Sequence, residues 1–394
     1  MTGMAGMAEE AWALGFGDMS VEDGFALRES TDWRHFPASD PARYAPLLSI
    51  ADLDAFLATD AARRPRISMA DGSRQGGAAV PEDEYATADG AADLPRLFHA
   101  FDRGATLVIS QFHELHPALG RFCRGLEQVF LHAVQANIYL TPPGAQGFRM
   151  HYDTHDVLVL QVQGEKHWRI WPGQPFPAPT RRTPWVGGVE PLADAVEINM
   201  RPGDALYVPR GVLHDAAAQD GTAPSLHVTV GFMEPSFASV LRMAVDLLEE
   251  AEPALRAAFP TWRLADGPGA LAPLAQPLAA MLAQPASLER TALALLDRLA
   301  MDRAPMLGRG LFPRMPDGAT RLRLAGGLLH ALIPDEETGG AWLRWAGDPL
   351  ALSPAEAGWV GALAEGTTPD ALGEDALAFC HRLTRLGLLE EDRD

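Results

Sequence analysis

Several things are scarce in this sequence. Its 394 residues include one lysine, Lys166, against 31 arginines, and two cysteines, Cys123 and Cys380. Two cysteines so far apart build no disulfide framework and match no metal-ligand spacing. A reduced, cytoplasmic setting with two buried thiols is therefore expected. Long apolar runs are missing as well. LAPLAQPLAAMLAQPASL is interrupted by Pro and Gln, short of the roughly 18 or more apolar residues of a membrane helix, so no membrane span is expected. The opening MTGMAGMAEE is acidic and has no basic segment before an apolar one, so no signal peptide is expected either. Positive charge is sparse: the formal net charge is −20. Such a surface repels phosphates, which argues against a nucleic-acid partner. It suits a cationic peptide or protein, although acidity also serves solubility alone.

What is present reads as a soluble globular chain, 47% hydrophobic and 21% charged, long enough for two or three domains. Residues 1–45 look irregular apart from a short amphipathic helix near Glu9–Phe16. LLSIADLDAFLATDAA reads as a helix with Ser49 as N-cap and Asp52 three residues on. Loops around a short strand follow, carrying Arg63, Arg64, Arg66 and Arg74; these either line a substrate entrance or are solvated surface charges. Next come a helix at Asp93–Asp102, the strand ATLVISQF and a helix from Pro117 to Leu131.

From Val134 to Phe232 the texture changes to short strands and turns. VLVLQVQ and KHWRIW flank Gly164-Glu165, and AVEINM and ALYVP flank Arg201-Pro202-Gly203-Asp204. Each pair reads as a hairpin. With VQANIYL and SLHVTVGF they suggest a double-sheet jelly roll of the cupin type. After Glu234 the periodicity turns helical, with Ser236 and Ser287 as candidate N-caps. A linker rich in Pro and Gly, APMLGRGLFPRMPDG, precedes strand TRLRLA, the turn PDEETGG, strand AWLRWA and two helices. That tail suggests a winged-helix-like module too acidic to hold DNA.

The chemistry centres on His151-x-Asp153. In an extended chain, residues i and i+2 face the same side, so both donors reach one metal. The turn in YVPRGVLH brings a third donor, His214, from another strand. Two imidazoles and a carboxylate on a β scaffold are the ligand set of a mononuclear non-haem iron site, with open positions on the far face. Zinc hydrolases use similar donors on a helix at i, i+4. His151 and His155 have that spacing, but they lie between a Pro-Pro-Gly turn and a strand. Lys166 points the same way. A chain that uses arginine everywhere else needs a compact ammonium there, and a buried ammonium needs a carboxylate partner. The bland alternative is an idle lysine on a turn. His227 is a candidate for the barrel interior or a buried histidine bonded to backbone, His155 and Asp156 for orienting a ligand imidazole or for the surface, and Tyr152, Arg149 and Trp168 for framing the site, with Trp168 also readable as core.

Asn137-x-Tyr139, PPGAQGF, HYDTHD, GEKHWRIW, PGDALYVPRGVLH and SLHVTVGF together resemble the JmjC-type 2-oxoglutarate oxygenases, specifically the cupin-like ribosomal oxygenase branch. The resemblance implies a mainly β catalytic core at 134–234 behind a mixed lead-in at 1–133. It also implies a helical dimerisation region at 235–304, hence a homodimer, and a winged-helix-like domain at 315–394. It implies Fe(II) on His151, Asp153 and His214, 2-oxoglutarate held by Lys166 and Tyr139 with Asn137 nearby, and O2 as co-reactant. The expected activity is hydroxylation of a side chain in a peptide or protein, either a ribosomal protein or a peptide natural product. The rivals are an N-methyl demethylase, a cupin-fold metal enzyme that does not use 2-oxoglutarate, and a non-catalytic interaction module. One departure stands out: Gly231 occupies the place of a serine that the branch carries near its substrate, which leaves the ribosomal substrate open.

Overall fold

Short β-rich runs separated by turn residues mark the middle of the chain, and there the backbone is β structure. The computed structural model describes residues 6–392 apart from 76, 181–188, 222, 268, 270–277, 302 and 304–309. Contacts divide it into two units, Met1–Glu234 and Pro235–Asp394.

The first unit opens with α1 (Met7–Phe16), α2 (Val21–Glu29), β1 (Arg34–Phe36), α3 (Ile50–Leu57), β2 (Ile67–Ala70), α4 (Leu94–Asp102), β3 (Thr106–Ile109) and α5 (Pro117–Phe130). It continues through β4 (Ala133–Thr141), β5 (Asp156–Gln163), β6 (Lys166–Trp171), β7 (Val196–Met200), β8 (Ala205–Val208), β9 (Leu213–Ala218) and β10 (Ser225–Met233). The strands form two antiparallel sheets, β1-β8-β5-β10-β4-β3-β2 and β7-β6-β9. This is the jelly roll expected from the short strands and turns. The Ser49/Asp52 capping box of α3 is present, and Asp93 caps α4. The segment read as irregular holds α2 and the edge strand β1, whose three residues pair with β8; so short a strand leaves no periodicity to read. The side chains of Trp12, Phe16, Leu119, Phe122 and Leu126 pack against Leu158, Val228, Val230 and Phe232 of the larger sheet.

Neither expected hairpin forms. β5 pairs with β10 and β8, while β6 pairs with β7 and β9. Both turns carry the chain from one sheet to the other. Gly164 and Gly203 sit at φ 66° and 92°, and a Cβ at either would run into the backbone of Pro224 or Asp40. A turn flanked by two strands looks the same whether they pair or face each other across a core. Burial separates the cases: the first six residues of β5 are buried on both faces, whereas β6 alternates.

The second unit contains α6 (Phe237–Ala251), α7 (Pro285–Met301), β11 (Leu322–Leu324), β12 (Ala331–Pro334), β13 (Ala341–Arg344), β14 (Leu350–Leu352), α8 (Pro354–Ala364), a single turn Pro369–Leu372, α9 (Ala376–Leu386) and β15 (Leu389–Glu391). Ser236 caps α6 as expected, but Ser287 lies inside α7, where its carbonyl accepts from Thr291 Oγ1. The PDEETGG turn joins β12 to β13; the TRLRLA strand instead pairs as β11 with β15. The linker expected at 304–318 lies partly outside the described residues.

Candidate metal centre and its cavity

β5 begins three residues after Asp153, and β9 carries His214. A two-residue bridge ties the two arms together: His151 N donates to His214 O at 3.0 Å, and His214 N to His151 O at 2.8 Å. One donor atom each from His151, Asp153 and His214 lies within 4.8 Å of the others. His214 Nε2 stands 3.6 Å from Asp153 Oδ2. Each imidazole is oriented from behind: Nδ1–H donates to Arg149 O in His151, at 2.7 Å, and to Val212 O in His214, at 3.0 Å. That fixes the tautomer and leaves both Nε2 lone pairs facing the gap, the arrangement a divalent metal requires. Burial, and then His151, push the His214 pKa down to about 4. Burial alone would raise that of Asp153, but the imidazoles of His214, His151 and His155 outweigh it and hold the group below its ordinary value. A neutral His214 imidazole beside the Asp153 carboxylate fits a divalent ion.

The triad opens onto a cavity of about 210 Å³. Lys166 enters its lining from β6 and is 4% exposed. Its Nζ donates to Thr141 Oγ1 at 3.0 Å and lies 3.4 Å from His227 Nδ1. Among the described residues no carboxylate reaches it. Burial lowers its pKa to about 7; burial and then the neighbouring lysine hold His227 well below its usual range. Tyr139 stacks on the His227 ring at 4.9 Å between centroids, and burial raises its hydroxyl pKa. Asn137 does not line the cavity; it lies on β4 two residues from Tyr139, with its Oδ1 accepting from Gln111 N at 2.9 Å.

The remaining candidates divide. Trp168 lines the cavity and packs 6.0 Å from the His214 ring. Arg149 points away and pins its loop to the carbonyls of Gly72 and Arg74. Tyr152 is buried and stacks on Phe176. Asp156 bonds Tyr207 and the Arg210 amide, and among the described residues it orients no imidazole. Arg63, Arg64, Arg66 and Arg74 pair with Asp89, Glu82, Glu114 and Glu84; none lines the cavity. Sequence reasoning missed Thr141, Thr106, Thr229 and Phe148. The i+2 rule applied from Tyr139 puts Thr141 on the same face. The Gly231 departure has a steric reason: a Cβ there would lie 2.7 Å from His155 Nε2.

The family model described as "JmjC domain" matches residues 109–240, which span both ligand arms and the Lys166 strand. Those residues form a JmjC domain. The chain is 36% identical over 179 residues to ribosomal oxygenase 2 of Bos taurus, covering 44% of this chain and 38% of that one. It is 35% identical over 166 residues to the bifunctional lysine-specific demethylase and histidyl-hydroxylase NO66 of Drosophila persimilis, covering 41% and 23%. The chain thus spans well under half the length of these curated relatives. Among solved structures, the Escherichia coli ribosomal oxygenase YcfD superposes with a TM-score of 0.56 at 18% identity, over 94% of this chain and 98% of that one. A YcfD structure in complex with cobalt and 2-oxoglutarate superposes with a TM-score of 0.53 at 17% identity, over 94% and 98%. The likeness of fold therefore extends beyond the JmjC domain into the second unit. No helix among the described residues is long and apolar enough to cross a membrane.

Proposed function

We propose that this JmjC protein is an Fe(II)- and 2-oxoglutarate-dependent hydroxylase acting on a side chain of a peptide or protein. His151, Asp153 and His214 hold the metal. Lys166 holds the far carboxylate of 2-oxoglutarate, with Tyr139 beside it, while Asn137 stays off the cavity wall and ties β4 to Gln111. The observation that carries the reading is Lys166: a buried ammonium with no carboxylate partner among the described residues, in the same cavity as the triad. Leaving such a charge unpaired is costly, and a dianionic keto acid spanning the cavity removes that cost. When bound, Fe(II), 2-oxoglutarate and O2 supply oxidative decarboxylation to succinate and CO2, coupled to oxygen insertion into a C–H bond. The chain's part is to orient both imidazoles through Nδ1, keep Lys166 out of water and present an ammonium to the cosubstrate.

A ribosomal protein fits the names of the relatives, and the acidic chain favours a cationic target. N-methyl demethylation is the second reading, because the NO66 relative is named for both activities. A homodimer through α6 and α7 is supported by Phe237, Leu241 and Leu288, which are exposed; residues 315–394 would then be the winged-helix-like domain, and the setting cytoplasmic. The test is succinate formation by purified protein with Fe(II), ascorbate and 2-oxoglutarate under air and under nitrogen. Oxygen-dependent succinate supports the reading; none, with or without candidate peptides, overturns it. Formaldehyde from a methylated peptide would favour demethylation.

A further inference from the structure

Asp156, the first residue of β5, is 3% exposed. Its Oδ2 accepts from Tyr207 Oη at 2.7 Å, and its Oδ1 accepts from the backbone N of Arg210 at 2.9 Å. Arg210 lies in the loop between β8 and β9. The next amide, Gly211 N, donates to Asp153 O at 3.0 Å. Val212 then supplies the carbonyl that orients His214. The loop is thus held at two successive amides against the segment bearing Asp153, once by backbone and once by a carboxylate. Gly211 is itself confined: its φ is +79°, and a Cβ there would meet Phe176 O at 2.9 Å.

The carboxylate has a counter-charge from outside the barrel. Arg28 of α2 reaches Asp156 Oδ2 at 3.6 Å and also pairs with Glu234. Its guanidinium carbon lies 4.5 Å and 4.1 Å from the ring centroids of Phe130 and Phe232. A buried carboxylate needs such compensation.

We infer that Asp156 is a positioning residue: its carboxylate clamps the loop that delivers His214 against the arm that delivers Asp153, and Arg28 stabilises that carboxylate. The inference rests on the reading of the triad as a metal site. The clamp holds the two arms in register before the ion arrives, so less order has to be gained on binding. Tyr207 hydrogen-bonds Oδ2, and the Arg28 guanidinium supplies its countercharge, which holds the carboxylate in place.

Co(II) is the probe, titrated into metal-free protein under nitrogen and followed by its visible ligand-field absorption. Asp156→Ala is expected to weaken Co(II) binding about 10–100-fold and to alter the bands. Asp156→Asn keeps an oxygen for Arg210 N and is expected to recover most of the affinity and the wild-type spectrum. Wild-type affinity and bands in a folded Asp156→Ala overturn the proposal, as does Asp156→Asn binding no better than Asp156→Ala. A second measurement does not depend on the variant folding. In metal-free wild-type protein, the amides of Arg210 and Gly211 are expected to be strongly protected from hydrogen exchange; exchange at the rate of an open loop overturns the clamp. If the wild type itself binds no Co(II), the metal reading has failed, and the exchange measurement still judges the clamp.

Discussion

The two ends of the cavity are built on opposite principles. At the metal end the chain satisfies itself: both Nδ1 atoms have carbonyl acceptors, the ligand arms are bridged by backbone, and the donors converge on one point. At the far end it leaves a debt, since Lys166 has a hydroxyl and an imidazole for company but no countercharge among the described residues. The first end is organised in advance, as a site for an ion would be. The second is tolerable only while the lysine gives up its proton or receives an anion. On our reading of the function, metal binding is therefore governed by geometry and cosubstrate binding by charge.

That contrast breaks in graded ways. The largest expected effect comes from His151→Ala. Loss of a donor should abolish Fe(II) retention, measured by iron content after desalting, and reduce succinate formation more than about a hundredfold, beyond the 10–100-fold typical of outer partners alone. Retained iron would mean that the triad is not the site. Lys166→Ala comes next. It should leave metal affinity unchanged while weakening 2-oxoglutarate about 100-fold or more, as expected for breaking a buried pair, read by calorimetry under nitrogen. Lys166→Arg should not restore binding, because the planar fork does not fit a site shaped for an ammonium.

Acidity sharpens the same distinction. With a pKa of about 7, Lys166 is cationic below that value and neutral above it. Affinity for 2-oxoglutarate should thus be level below about pH 7 and fall above it, by up to about tenfold per pH unit. The stability of cosubstrate-free protein should move the other way. Between about pH 7 and lysine's ordinary value of 10.5 the unfolded chain binds more protons than the folded one, so stability rises with pH across that window. The smallest effect belongs to Gly231→Ser, which must displace His155. Overpacking of this kind costs about 1–3 kcal/mol, and Tm should drop by about 2–4 °C per kcal/mol for a unit of this size. Co(II) affinity should stay as it was.

Much of this was legible in the residues. His151 and Asp153 were readable because donor type and i+2 spacing carry the information locally, and His214 through the turn before it; Lys166 stood out by its rarity, but only the family resemblance placed it beside the triad. Strand pairing was not. VLVLQVQ and KHWRIW are joined by a turn, yet which strands they bond depends on how two sheets close over Val157, Val159, Trp168 and Ile170. Asp156 was a candidate for orienting an imidazole or for the surface; it bonds a loop instead, because its partners Tyr207, Arg210 and Arg28 come from segments whose proximity only the fold creates. Thr141 was missed although the alternation from Asn137 and Tyr139 pointed to it.

The solitary inward-facing amine has a practical corollary. Acylating reagents, cross-linkers aimed at ε-amines and enzymes that conjugate lysine find no such handle on the exterior of the barrel. Modification at Lys166 would require the interior to open, so the rate of labelling there serves as a built-in clock for barrel breathing, and one that a bound keto acid should slow.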